Sequence, residues 1–226
     1  MQIYSSERKL IFMRMRKKKN AEARMQACSE IQILSPEQYK GKWDECFAKG
    51  RTLCLEIGCG KGTFVVESAK RNPDKFFVAV EVVPDVILLA MERAKREEVE
   101  NVMFVCFDAS NILDVFEENE LSELYLNFSD PWPKARHAKR RLTFISFLEK
   151  YKVILKPNGK IFFKTDNRPL FDFSLEQFEE AKISLSDVTN DLHNSPWEKG
   201  NIHTEYEDNF SAKGFTINRL VGTIVK

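Results

Sequence analysis

The chain is poor in histidine, with three, and in cysteine, with five, and it has no long hydrophobic run. Each scarcity excludes something. The cysteines, at 28, 46, 54, 59 and 106, are odd in number and form no CxxC pair. Together with the histidines they show no ligand spacing, so no metal site is expected. Cys54 and Cys106 sit in apolar runs, where a free thiol packs as a small hydrophobe. A reduced, cytoplasmic protein without disulfides is the expectation. No apolar stretch reaches the roughly 18 residues that a bilayer span needs. The richest, FFVAVEVVPDVILLAM, is broken by Glu81, Pro84 and Asp85. The opening residues, MQIYSSERKLIF, lack a secretion signal's apolar centre and small-residue cleavage site. No membrane partner is expected.

What is present suits one sizeable domain. The 226 residues are 43% hydrophobic, enough for a full core. The net charge of +1 hides an uneven distribution. Residues 8–24 hold eight Lys or Arg against Glu22, and residues 134–141 hold five against no acid. The +7 and +5 of these windows leave the remainder at −11. An acidic body with two basic patches points to a polyanion partner met locally. The first patch defines an N-terminal arm over 1–30, flexible in expectation because like charges repel. The single domain is expected over 31–226.

Strand signals fall at 51–57, 76–81, 101–107, 123–128, 159–165, 183–190 and 215–226. Helix signals fall at 62–72, 84–98, 109–119, 140–155 and 169–182. Apolar strand runs alternating with helices predict an α/β fold. Its sheet is mostly parallel and seven-stranded, with helices on both faces. The last two strands have no helix between them and are expected to form an antiparallel edge pair.

Such sheets bind ligands beyond the carboxyl ends of their strands. The first strand ends in Glu56-Ile57-Gly58-Cys59-Gly60-Lys61-Gly62. The GxGxG turn departs from the GxGxxG of dinucleotide sites, and the acid before it disfavours a pyrophosphate. The second strand ends in Glu81, where a carboxylate can accept ribose hydroxyls. The third ends near Asp108, which can accept from an adenine amino group. Three acids at successive strand ends beside Gly58, Gly60 and Gly62 describe a pocket for an adenosine with a charged tail and no phosphate. S-adenosylmethionine fits.

EIGCGKG, AVEVVPDVILLAMERA and FDAS together resemble the class I S-adenosylmethionine-dependent methyltransferases, a Rossmann-like fold. The stretch LYLNFSDPWPKARHAKRRL resembles the tRNA (guanine-N7-)-methyltransferase family. FKTDNRPL and TEYEDNFSAKGFTINRL resemble that family's later segments. The resemblance covers about residues 13 to 226 and leaves out MQIYSSERKLIF, so a start at Met13 or Met15 stays open beside Met1.

The turn after the fourth predicted strand then has a reading. Asp130 is carried to the pocket edge, and Pro131 and Pro133 fix φ on either side of Trp132. A carboxylate so placed suits a transfer reaction that needs preorganisation. The resemblance makes Asp130 the catalytic residue, and Lys134, Asp166, Thr204 and Glu207 substrate residues. It makes Arg136, Lys139, Arg140 and Arg141 contacts to RNA, where basic side chains neutralise phosphates without reading sequence. Glu207 is expected to pair with the Watson–Crick edge of guanine. The implied activity is methyl transfer from S-adenosylmethionine to guanine N7 in the tRNA variable loop, giving 7-methylguanosine. No metal and no obligatory protein partner is implied, and monomer and homodimer both stay open. Two alternatives stand beside it: a methyltransferase of this fold acting on another amine or RNA, and an RNA-binding protein that has lost its chemistry.

Overall fold

The computed structural model describes residues 20–226. Most of the basic arm, residues 1–19, lies outside the described residues, and with it the question of the start codon. Residues 20–30 pack on the domain. Helix α1 (Ala21–Gln26) leads into a short turn, and Arg24 makes two 2.6 Å hydrogen bonds to Glu92. Cys28 is buried.

The strands are β1 (Gln32–Ile33), β2 (Thr52–Ile57), β3 (Lys75–Glu81), β4 (Val102–Cys106), β5 (Leu121–Asn127), β6 (Leu155–Thr165), β7 (Ser184–Thr189) and β8 (Asn218–Thr223). The remaining helices are α2 (Thr63–Arg71), α3 (Pro84–Arg96), α4 (Ile112–Val115), α5 (Ile145–Ile154), α6 (Arg168–Glu180) and α7 (Glu205–Ser211). One sheet of eight strands runs β1-β4-β3-β2-β5-β6-β8-β7. Only β8 opposes the others, pairing antiparallel with both β6 and β7. The strand beyond the seven expected is β1, two residues beside β4.

Alternation along the strands explains the layers. Leu53, Leu55, Phe76, Val78 and Val80 join one buried cluster with residues of α4, α5 and α6. Cys54, Phe77 and Ala79 point the other way, into a cluster with residues of α2 and α3. Both faces are covered, so the strands read as continuous apolar runs. Pro84 occupies the first turn of α3, where its missing N–H costs nothing, and Arg93, Lys95 and Arg96 close its last turn against the helix dipole.

Two boundaries differ from expectation. Helix α5 starts at Ile145, because residues 135–140 form a 3-10 turn and Arg141 and Phe144 are extended. It ends at Ile154 and passes directly into β6, whose first residue, Leu155, pairs with Leu121. Pro157 and Gly159 therefore lie within the strand. The chain from β2 to β4 builds the sheet in one direction, and β5 onward builds it in the other. The crevice sits where these halves meet, between β2 and β5.

Candidate active site at the carboxyl ends of the parallel strands

Two cavities open at this crevice, one of about 670 Å³ and one of about 330 Å³. Gly58 and Phe128 line both, so the two form one bent cleft. Glu81, Asp108 and Asp130 line the larger arm with Lys139 and Arg140. Glu56, Gly58, Gly60 and Thr204 line the smaller. Three strand ends, the glycine turn and the post-β5 turn thus converge.

Glu56 is buried at the end of β2. Its Oε1 accepts from Asn127 Nδ2 at 2.9 Å, and its Oε2 has no hydrogen-bond partner. Burial lifts its carboxyl to about 8, although the Asn127 bond and the charge of Lys164 act the other way. A buried acceptor without a donor is costly unless a ligand supplies one. A cationic ligand end fits this position.

Gly58 and Gly60 have φ of +81° and +57°, and a Cβ at either would stand in open space. That leaves a ligand free to approach the backbone. Gly62 faces elsewhere. A Cβ there would come within 2.8 Å of Ala90 Cβ, so Gly62 serves the close packing of α2 on α3. Glu81 accepts from Val82 N at 2.9 Å, Val83 N at 3.1 Å and Gly60 N at 3.2 Å. It faces the cleft and also ties the glycine turn to the start of α3. Asp108 Oδ1 caps the turn after β4 by accepting from Ser110 N at 2.8 Å.

Asp130 is exposed on the rim of the larger arm, midway between Phe128 and Trp132. Both flanking residues are left-handed, with φ of 53° and 40°. Beyond them Lys134, Arg136, Lys139 and Arg140 are exposed. The Arg140 guanidinium lies 4.9 Å from the centre of the Trp132 ring. Partial burial, then the charges of Arg136, Arg140 and Lys134, hold the His137 pKa below its ordinary value. Arg141 turns inward. Its Nε and Nη2 donate to the carbonyls of Pro131 and Trp132 at 3.0 and 3.1 Å.

The remaining substrate candidates occupy the next layer. Asp166 is half-buried just after β6, and the cap of α6 is its neighbour Asn167, which accepts from Leu170 N at 2.9 Å. Thr204 caps α7, accepting from Glu207 N at 3.0 Å. Glu207 is fully buried and lines neither arm. It accepts from Lys164 Nζ at 2.5 Å and from Asn201 Nδ2 at 2.8 Å, and it meets His193 Nε2 at 2.9 Å. Burial would raise its pKa, but the Lys164 charge and these hydrogen bonds outweigh that and hold it low. Reaching a base edge would require breaking this network.

Sequence reasoning missed Asn127 and Lys164. Both are polar residues at a strand end, the same signal that marked Glu56, Glu81 and Asp108. It also missed Glu205, which bonds Lys61 of the glycine turn at 3.2 Å and Arg93 of α3 at 2.5 Å. Among the described residues, His193, Glu198 and His203 bring their ligating atoms within 4.8 Å of one another. The two imidazoles are stacked with planes 6° apart, and both nitrogens of His203 are engaged, Nε2 with Glu198 at 2.6 Å and Nδ1 with Asp208 at 2.7 Å.

Known proteins match this architecture. A family described as putative methyltransferase matches residues 50–220. A tRNA (guanine-N(7)-)-methyltransferase of Listeria innocua is 47% identical, over 92% of this chain and 97% of its own. One of Bacillus subtilis strain 168 is also 47% identical, over the same shares. Among solved structures, the 16S rRNA methyltransferase KamB aligns with a TM-score of 0.60 at 17% identity, covering 82% of this chain and 94% of that one. An antibiotic-related methyltransferase aligns at 0.56 and 14%, covering 84% and 94%. At these identities the structures speak for the fold, which is that of class I methyltransferases. The relatives speak for the lineage: the chain belongs to the family of tRNA (guanine-N(7)-)-methyltransferases.

Proposed function

We propose that the protein transfers a methyl group from S-adenosylmethionine to N7 of a guanine in the variable loop of tRNA, giving 7-methylguanosine. One observation carries this reading. Acids from three strand ends, Glu81, Asp108 and Asp130, line one cleft whose rim is the exposed basic turn. When bound, S-adenosylmethionine supplies an electrophilic methyl group on a sulfonium sulfur. Glu56, with one oxygen lacking a partner, and the open backbone at Gly58 and Gly60 receive its charged end. Glu81 accepts from the ribose and Asp108 from the adenine.

Guanine N7 already presents a lone pair, so no residue need deprotonate it. Asp130 acts by position and charge: it holds the base and offsets the positive charge that the ring acquires. Lys134 and Asp166 contribute to holding the nucleotide. Lys134, Arg136, Lys139 and Arg140 neutralise phosphates while the base leaves its stack. Thr204, in the lining of the smaller arm, contributes to holding the substrate, and Glu207 supports it from the buried pair with Lys164. The protein acts in the cytoplasm on tRNA without an obligatory partner subunit, as a monomer or a homodimer.

The test is transfer from labelled S-adenosylmethionine to unmodified tRNA, with the product mapped by nucleoside. Label in 7-methylguanosine of the variable loop is the expected result. Label on another atom or another RNA overturns the substrate assignment. No transfer with the cofactor still bound overturns the enzymatic reading in favour of a binding protein.

A further inference from the structure

The basic run after the SDPWP turn is continuous in sequence but divided in space. Lys134, Arg136, Lys139 and Arg140 are exposed, and Arg141 is half-buried. Its guanidinium donates from Nε to the Pro131 carbonyl at 3.0 Å and from Nη2 to the Trp132 carbonyl at 3.1 Å. The opposite side of its chemistry is covered too, since the guanidinium sits 4.3 Å from the centre of the Phe173 ring on α6. Its backbone is held at both ends: Arg141 N donates to Ala138 O at 3.0 Å, and Arg141 O accepts from Phe144 N at 2.9 Å.

Those two carbonyls have a particular meaning. One belongs to the peptide plane before the Trp132 Cα, the other to the plane after it. Holding both fixes φ and ψ of Trp132 together. Trp132 needs such restraint, because its φ of 40° is left-handed for a bulky residue, and the next residue is Pro133, which crowds the helical regions of its predecessor. Strain of this kind survives only where the surroundings over-determine it. Asp130 lies two residues before Trp132. The path of its backbone is set at one end by the left-handed Phe128, whose N–H bonds Lys164 O at 2.9 Å, and at the other by the clamped Trp132.

We propose that Arg141 is a positioning residue for Asp130 and does not touch RNA. Its planar fork reaches two acceptors in fixed geometry, which a lysine ammonium on a flexible stem does not reproduce. The inference rests on the proposed reading that Asp130 stands at the reaction centre.

Arg141→Lys keeps the charge and loses the fork, so it separates the two roles. Steady-state methylation of tRNA is compared for wild type, Arg141→Lys, Arg141→Ala and Arg136→Ala, with hydrogen exchange followed over residues 129–134. Both Arg141 variants are expected to lose kcat by about 10- to 100-fold, because small misplacements of a reacting group are costly. Their KM for tRNA and the salt slope of tRNA binding stay at wild-type values, and exchange over 129–134 quickens. Arg136→Ala is expected to raise KM, flatten the salt slope and leave that exchange unchanged. An Arg141→Lys enzyme with wild-type kcat and exchange, or with the KM and salt behaviour of Arg136→Ala, overturns the proposal. Should the Arg141 variants fail to fold, Phe173→Leu decides: it removes the ring beneath the guanidinium and leaves the charge. Lower kcat at unchanged KM supports the clamp, and unchanged kcat overturns it. If wild type itself methylates no tRNA, the functional reading fails separately, and the exchange comparison still decides whether Arg141 holds the turn.

Discussion

Lys164 and Glu207, forty-three residues apart, form an ion pair inside the protein, with Nζ 2.5 Å from Oε2 and side chains 7% and 0% exposed. The Lys164 ammonium also donates to Ile202 O at 2.8 Å and Asn201 Oδ1 at 3.1 Å, so β6, the 201–207 segment and α7 share one polar knot. Removing one partner strands the other without water. Lys164→Met is therefore expected to lower stability by about 3–5 kcal/mol, with a double Lys164→Met, Glu207→Leu chain less damaged than the single variant. Urea unfolding of both checks this. The Glu207 pKa is depressed, so the contribution of its own ionisation is complete above the ordinary carboxylate value and drains away as pH falls through the depressed one, while burial lowers the Lys164 pKa in spite of the pair.

Glu56 titrates in the opposite sense. Its carboxyl is lifted to about 8 from an ordinary 4.5, so between those values the folded chain holds a proton that the unfolded chain has released. Stability of the ligand-free protein should fall as pH rises through that window. Glu56→Gln should remove that fall. A cationic ligand end favours the carboxylate, so S-adenosylmethionine should bind more tightly as pH climbs toward 8, with proton release. Calorimetry in buffers of different ionisation enthalpy measures it. Binding without proton release below pH 8 would sink the assigned interaction.

The glycines of the turn separate packing from binding. Gly62→Ala sets a Cβ 2.8 Å from Ala90 Cβ and 3.0 Å from its Cα, and should cost about 1–3 kcal/mol of stability. Gly60→Ala meets open protein space, so it adds only the strain of a side chain at φ +57° and should cost folding less than Gly62→Ala while weakening cofactor binding more. Melting temperature and cofactor affinity, taken on both variants, distinguish the pattern from its reverse.

Asp130→Asn keeps the shape of the rim and removes its charge. The expected result is a kcat lowered by about 100- to 1000-fold, the scale of losing one preorganised electrostatic group. Cofactor affinity should change far less. Rapid-quench transfer with saturating tRNA reads the first quantity and calorimetry the second. A variant with wild-type turnover would remove Asp130 from the chemistry.

The exposed cations should act through salt. Replacing Lys134, Arg136 or Lys139 by alanine is expected to weaken tRNA binding across sequences. The slope of log affinity against log salt should shrink by about one for each phosphate left without its cation. Filter binding over a salt series checks each variant. A slope unchanged in all three would place the RNA elsewhere.

Much of the fold and site was legible in sequence, for local reasons. The apolar strand runs and helical periodicities are short-range patterns, so the order of elements follows from them. The acids at strand ends stand out because each interrupts an apolar run. What escaped was direction. Arg141 reads as one more cation in ARHAKRR, and nothing local says that its fork turns back to Pro131 and Trp132. Glu207 sits in the polar string TEYED, and its burial is set by Lys164 on a distant strand. Gly62 looks like its two neighbours until α3 brings Ala90 against it. Strand β1, two residues long, carries no periodicity to read.

Two of the residues that fasten helix α7 do so with unlike strength. Glu207 is a buried anchor, while Glu205, 47% exposed, holds Lys61 and Arg93 from the surface. Exposed pairs of the second kind contribute roughly 0–1 kcal/mol each and weaken with salt, and the first kind does not yield so readily. The helix therefore carries a buried anchor and an exposed catch only two residues apart. The catch bridges the glycine turn, through Lys61, and α3, through Arg93. Raised salt therefore loosens the hold of α7 on the glycine turn while leaving its buried pair with Lys164 in place.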